Sequence, residues 1–334
     1  MTIRWFFAAA VLPLSIAIAA CGSSNDAGGT GGTGGAGGTA AGGAGGSAGA
    51  GTGGGAGAAG SGGGQSMVCP TSVHKTLVVV GDSISDVGGS GGPDDQKPFY
   101  RTLLAKNDDS LYPAWKGLDL ATCWGLDPNA NVVKASVGGA VVTEGGSSGA
   151  SVLLEQVKGL PATLEGPVLV VGTIGGNDVM AGFIDFLANN TAKQQQDVAD
   201  FVKGWDDAMD ELTRPDRFGS GVKVDVLITN IYDPSGGTGD FTYTPESKSC
   251  PGALALWPKT QSTDPALKPW NDALVTEAGK YPEVHLLELH GAFLGHQVDT
   301  TAADNWFHDD CIHPNAMGHE HLRELFWGGI VALP

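Results

Sequence analysis

The sequence predicts an α/β fold, a mostly parallel sheet of about five strands with helices on both faces. Three observations lead there. Short apolar runs rich in valine, isoleucine and leucine recur through residues 67–334, the composition of strands buried on both sides. Segments with apolar residues at helical spacing alternate with them. Small polar turns follow several of the runs, at the carboxyl strand ends where α/β proteins expose reactive groups.

The first run, Thr76 to Val80, ends in Gly81-Asp82-Ser83. A short helix is expected over 99–106, a second strand over Val132 to Ala135, and a helix over 151–159 with Leu153, Leu154 and Val157 on one side. Residues 167–172 (PVLVVG) read as the third strand. The longest helical pattern covers 191–213, where Val198, Phe201, Val202, Trp205, Met209 and Leu212 recur at helical spacing. A fourth strand is expected over 222–231, a helix over 265–280, a fifth strand over 284–289 and a closing helix over 315–330. Two long irregular stretches, 108–129 and 233–263, interrupt the alternation. Each holds a cysteine, and loops of that length in a compact domain are usually functional or stapled.

Ahead of this domain the chain has a different character. Residues 1–21 carry one positive charge, Arg4, and an apolar run from Trp5 to Ala20 broken by Pro13, a signal-peptide pattern too short for a comfortable membrane span. The run ends in Ile18-Ala19-Ala20-Cys21, which resembles the lipobox of bacterial lipoproteins. That resemblance implies acylation of Cys21 and a lipid anchor in the cell envelope. A plain secretory peptide cut after Ala17 to Ala19 is the alternative. Residues 22–66 are almost entirely Gly, Ala, Ser and Thr, which cannot form a core and are expected to be a disordered linker. The domain proper is then 67–334.

With 36 acidic against 18 basic residues, the formal charge of −18 repels phosphate backbones and argues against nucleic acid as a partner. The chain is expected to be a monomer whose only link to a membrane is the lipid. Setting Cys21 aside leaves Cys69, Cys123, Cys250 and Cys311. An even count in an exported chain suggests two disulfides, for which three pairings exist. Cys311 sits in a turn with candidate catalytic groups and Cys250 in a long loop, so Cys250–Cys311 with Cys69–Cys123 is the expected pairing. No Cys-x-x-Cys spacing suggests structural zinc.

Four stretches carry chemistry. Ser83 is a candidate nucleophile, although Gly-Asp-Ser also makes an ordinary turn. Ala135-Ser136-Val137-Gly138-Gly139 follows a strand and offers free backbone N–H groups. Gly175-Gly176-Asn177-Asp178 follows another, and the Asn177 amide can stabilise a developing oxyanion. In Asp310-Cys311-Ile312-His313, the acid and the histidine are three apart, which a helical or 3₁₀ turn brings to one side. The carboxylate then holds one ring nitrogen and leaves the other as a base. A metal site is the competing use of His308, Asp309, Asp310, His313, His319 and His321, but His319 and His321 point to different faces of the closing helix.

Together these four stretches resemble the SGNH hydrolases, the Gly-Asp-Ser esterase and lipase family, over about residues 77–330. The resemblance implies Ser83 as nucleophile, Gly139 and Asn177 as oxyanion donors beside the Ser83 N–H, and Asp310 with His313 as the rest of a triad. It implies a flavodoxin-like doubly wound sheet, no cofactor and no metal. The α/β-hydrolase alternative fails because Ser85 stands where Gly-x-Ser-x-Gly needs its last glycine.

The expected activity is hydrolysis of acyl or acetyl esters, on lipid or polysaccharide. A carbohydrate-binding module that has lost its chemistry is the alternative from another class, and Trp115, Trp124, Trp257 and Trp306 are available as sugar platforms or as core.

Overall fold

The computed structural model describes residues 67–86, 99–144, 151–250 and 252–334; the expected signal peptide, Cys21 and the expected linker 22–66 lie outside them. The central sheet takes β1 (Thr76–Gly81), β2 (Val132–Lys134), β3 (Val168–Thr173), β4 (Val224–Thr229) and, after a short hairpin of β5 (Thr242–Tyr243) and β6 (Lys248–Ser249), β7 (Val284–Leu287). All pairings in it are parallel, in the order β2-β1-β3-β4-β7. Counting only its own strands, that is 2-1-3-4-5, the flavodoxin-like order, whose ligand crevice opens between the first and third strands. Every residue of β1 and β3 is buried, which explains their uninterrupted apolar runs.

The helices are α1 (Tyr100–Ala105), α2 (Leu120–Trp124), α3 (Leu153–Gly159), α4 (Gly176–Leu187), α5 (Thr191–Thr213), α6 (Asp264–Ala278), α7 (Leu289–Phe293) and α8 (Ala316–Ala332). One group packs α3 and α4 on α5 and α6; the other packs α1 and α7 on α8. Among the described residues, no helix is long and apolar enough to cross a membrane.

The structure departs from the sequence expectation in several places. The 108–129 stretch contains α2, started by Asp119, whose side chain accepts from the Thr122 N–H at 2.7 Å. The 233–263 stretch contains the hairpin and two 3₁₀ turns. Helix α4 begins inside Gly-Gly-Asn-Asp, which by its residues alone reads as a turn. Gly175 makes the entry possible. Its φ of 103° suits glycine, and a Cβ there would lie 2.8 Å from Ile231 Cδ1.

The cysteines pair as Cys69–Cys123 and Cys250–Cys311. Two bridges fit an oxidising compartment.

Candidate active site

Ser83 stands just past the end of β1, where the chain turns sharply. Gly81 takes φ 113° at a point where a Cβ would lie 2.0 Å from the Thr173 carbonyl oxygen, so only glycine fits between the two strand ends. The Gln156 side chain on α3 clamps this point: its Oε1 accepts from the Gly81 N–H at 2.7 Å and its Nε2 donates to the Gly81 carbonyl at 2.9 Å. Under the turn lies a buried polar line. The Ser85 and Tyr100 hydroxyls meet at 2.7 Å, Ser85 and Thr173 at 2.8 Å, and Thr173 Oγ1 donates to Asp82 Oδ1 at 2.8 Å. Burial pushes the Asp82 carboxyl up to about 6, against the lowering effect of the hydrogen bonds from Thr173 and Ile84.

His313 reaches Ser83 from the far end of the sequence. Its Nε2 lies 2.8 Å from Ser83 Oγ and its Nδ1 lies 2.6 Å from Asp310 Oδ2. The turn that achieves this is neither helical nor 3₁₀, contrary to the spacing argument. Asp310 builds it instead: Oδ1 accepts the backbone N–H groups of Ile312 and His313, both at 2.9 Å, while Cys311 adopts φ 63°. Burial raises the Asp310 carboxyl, but the His313 ring and these backbone donors outweigh it and hold the pKa at about 2. Helix α8 starts after the turn with Asn315 as its cap, accepting the Gly318 N–H at 3.1 Å. Pro314 precedes the helix.

The Gly138-Gly139 turn is stitched to the Ser83 turn. Ser136 Oγ donates to the Ser85 carbonyl at 2.9 Å, the Val137 N–H to the Gly81 carbonyl at 3.0 Å, and the Gly138 N–H to Asp86 Oδ2 at 2.7 Å. Gly138 is thereby committed, whereas the Gly139 and Ser83 N–H groups have no partner among the described residues. Asn177, in the first turn of α4, donates from Nδ2 to the Ala140 carbonyl at 2.8 Å, and Asp178 accepts the Val142 and Thr143 N–H groups at 3.0 Å each. One amide hydrogen of Asn177 remains for a ligand. Asn177 and Ser83 line the same cavity, beside Ile174, Val179, Met180 and Phe183; Gly139 is not part of that wall.

The clamps Gln156, Asp178 and Asp86 went unnoticed in the sequence. The one available signal for Asp178 was its place beside Asn177. For Gln156 there was none, because a glutamine on a short helix reads as surface. The crowded histidines separate: His319 is buried against Phe99, with ring centroids 4.8 Å apart, and His321 stacks on Trp306 at 3.8 Å. Trp115, Trp124, Trp257 and Trp306 are at most 7% exposed, so all four belong to the core and none presents a face to a sugar ring.

No curated protein sequence matches the chain. Solved structures of similar outline include an acetylxylan esterase from Geobacillus stearothermophilus, at 14% identity over 78% of this chain and 95% of that one, TM-score 0.45. Others are a lipase from a goat rumen metagenome (15% identity, 78% of this chain and 100% of that one, TM-score 0.45) and an alpha/beta hydrolase enzyme from the metagenome of Lake Arreo, Spain (19% identity, 80% and 99%, TM-score 0.41). The model of the family described as GDSL-like lipase/acylhydrolase matches residues 77–326, which hold Ser83, Gly139, Asn177, Asp310 and His313. The chain belongs to the GDSL-like lipase/acylhydrolase family.

Proposed function

We propose that the protein is a serine esterase that hydrolyses carboxylic esters through an acyl-enzyme. The observation that carries this is the unbroken line from Ser83 Oγ through both ring nitrogens of His313 to the Asp310 carboxylate, at 2.8 and 2.6 Å. Ser83 Oγ attacks the ester carbonyl as His313 Nε2 takes its proton. Asp310, ionised far below neutral pH, holds the ring orientation and stabilises the imidazolium. The tetrahedral oxyanion is met by the N–H groups of Ser83 and Gly139 and by the free amide hydrogen of Asn177. His313 then protonates the leaving alcohol, and a water activated by the same nitrogen releases the acid. These steps call on no cofactor.

The substrates are acyl or acetyl esters of lipid or polysaccharide. The proposal extends to a monomeric enzyme held in the cell envelope by acylated Cys21, a residue outside the described part of the structure. The two disulfides support export.

A serine-reactive phosphonate, with short-chain ester hydrolysis as readout, tests the mechanism. Labelling at Ser83 and loss of most turnover in Ser83→Ala are expected. Label on another residue, or full activity in Ser83→Ala, refutes it. The carbohydrate-binding alternative predicts no turnover in the parent protein.

A further inference from the structure

Resting on the esterase activity just proposed, we infer that the cavity beside Ser83 is a site for a straight acyl chain of about four to six carbons, and that Phe183 sets its length limit. Beyond Ser83 and Asn177 the lining includes the hydrocarbon side chains of Ile174, Val179, Met180, Phe183, Leu254 and Leu267. Most of the buried polar residues in the lining use their polar atoms elsewhere; the Thr229 hydroxyl, without a partner among the described residues, is one polar point in the wall. Thr173 donates to Asp82, Asn230 bonds Glu288 and the His290 N–H, and Asp233 accepts the Ser235 and Gly237 N–H groups. His313 is absent from the wall. His313 meets Ser83 from outside this lining, so the acyl part is assigned to the cavity and the alcohol to the histidine's side. The cavity measures about 70 Å³. Its size and apolar lining suit a short chain.

A second cavity, about 320 Å³, is lined by residues of α4, α5 and α6. Val179 and Phe183 belong to both walls. They are one turn apart on α4 and so form a single partition. Phe183 is 8% exposed and its ring packs against Trp257 with centroids 4.9 Å apart, which holds it in this position. Removing that ring joins the two spaces.

The test is kcat/KM for p-nitrophenyl acetate, butyrate, hexanoate, octanoate and decanoate, measured on the parent protein, Phe183→Ala and Val179→Phe. Ratios between esters within one preparation cancel the amount of folded enzyme, so a poorly folding variant still reports. The parent should peak at butyrate or hexanoate. Phe183→Ala should raise the decanoate-to-butyrate ratio about tenfold or more, and Val179→Phe, which narrows the site, should lower the hexanoate-to-acetate ratio by a similar factor. A parent that hydrolyses acetate best and declines steadily from there overturns the acyl-site inference while leaving the esterase standing. Unchanged ratios in both variants overturn the role of Phe183. No hydrolysis of any ester, with Ser83 unlabelled by phosphonate, overturns the esterase and this inference with it.

Discussion

Asn177 has two amide hydrogens, of which one is engaged within the fold. One ties α4 to the Ala140 carbonyl at 2.8 Å, which fixes the side chain's direction; the other is free to meet an oxyanion. Asn177→Ala should therefore lower kcat by roughly 10²–10³, the usual scale for one oxyanion donor, with little change in KM. Steady-state kinetics on butyrate ester checks this. Asp82 permits a different measurement. Both of its donors, the Thr173 hydroxyl and the Ile84 N–H, point at Oδ1, at 2.8 and 3.1 Å. An asparagine keeps both bonds and mimics the protonated acid. Because burial lifts this carboxyl from 3.8 to about 6, the folded state binds more protons than the unfolded state between those values, and stability falls as pH rises through that window. The shift corresponds to about 3 kcal/mol. Denaturant unfolding of Asp82→Asn should lack this component between pH 4 and pH 6, while the parent shows it.

Helix α8 does more than close the sheet. Its Arg323 is fully buried, with the guanidinium 4.0 Å from the Trp115 ring centroid and 4.7 Å from that of Tyr112. Arg323 Nη1 donates to Asn107 Oδ1 at 2.8 Å. One side chain thus holds the irregular 107–118 segment against the helix that follows the His313 turn. Burial lowers the guanidinium pKa, a cost offset by the Glu320 carboxylate and the aromatic faces. Arg323→Met should destabilise by about 3 kcal/mol, since it removes the cation and leaves the buried Asn107 carbonyl unpaired. A lower urea midpoint with nearly unchanged kcat in the remaining folded enzyme is the expected result, because Arg323 touches no group of the Ser83 site.

At the scale of the molecule, the Cys250–Cys311 bridge joins the 233–263 loop to the turn that carries Asp310 and His313, across 61 residues of sequence. The same two segments meet through Lys248 and Asp309 at 2.6 Å and through Tyr243 and the Phe307 carbonyl at 3.4 Å; just before the loop, the Tyr232 hydroxyl donates to the Ile312 carbonyl. The loop is therefore one wall of the acyl cavity and the brace of the histidine at once. Replacing both cysteines by serine should cost up to about 4 kcal/mol, the loop-closure entropy of a ring that size. It should also lower kcat by loosening His313. Thermal unfolding and ester turnover of the double variant, beside the reduced parent protein, measure the two effects separately.

How much was legible in the sequence follows from the range of the forces involved. Buried strands announce themselves locally, because burial on both faces requires an unbroken apolar run. β1 and β3 are accordingly where the pattern of residues 76–80 and 167–172 put them. The helix over 191–213 was equally plain from its apolar spacing. The stretches holding Ser83, Asn177, Asp310 and His313 could be found because each lies at a strand end or helix start with its own turn chemistry. Only tertiary structure decided what joins them. The 2.8 Å contact between Ser83 and His313 spans 230 positions, and no local preference encodes it. The glutamine that clamps Gly81, the aspartate that pins the Val142 and Thr143 N–H groups, and the burial of the four tryptophans likewise depend on which surfaces the closed sheet brings together. Helix α4 escaped notice for the opposite reason: Gly-Gly-Asn-Asp favours a turn by its own propensities, and packing of Val179 and Phe183 against the rest of the fold overrides them.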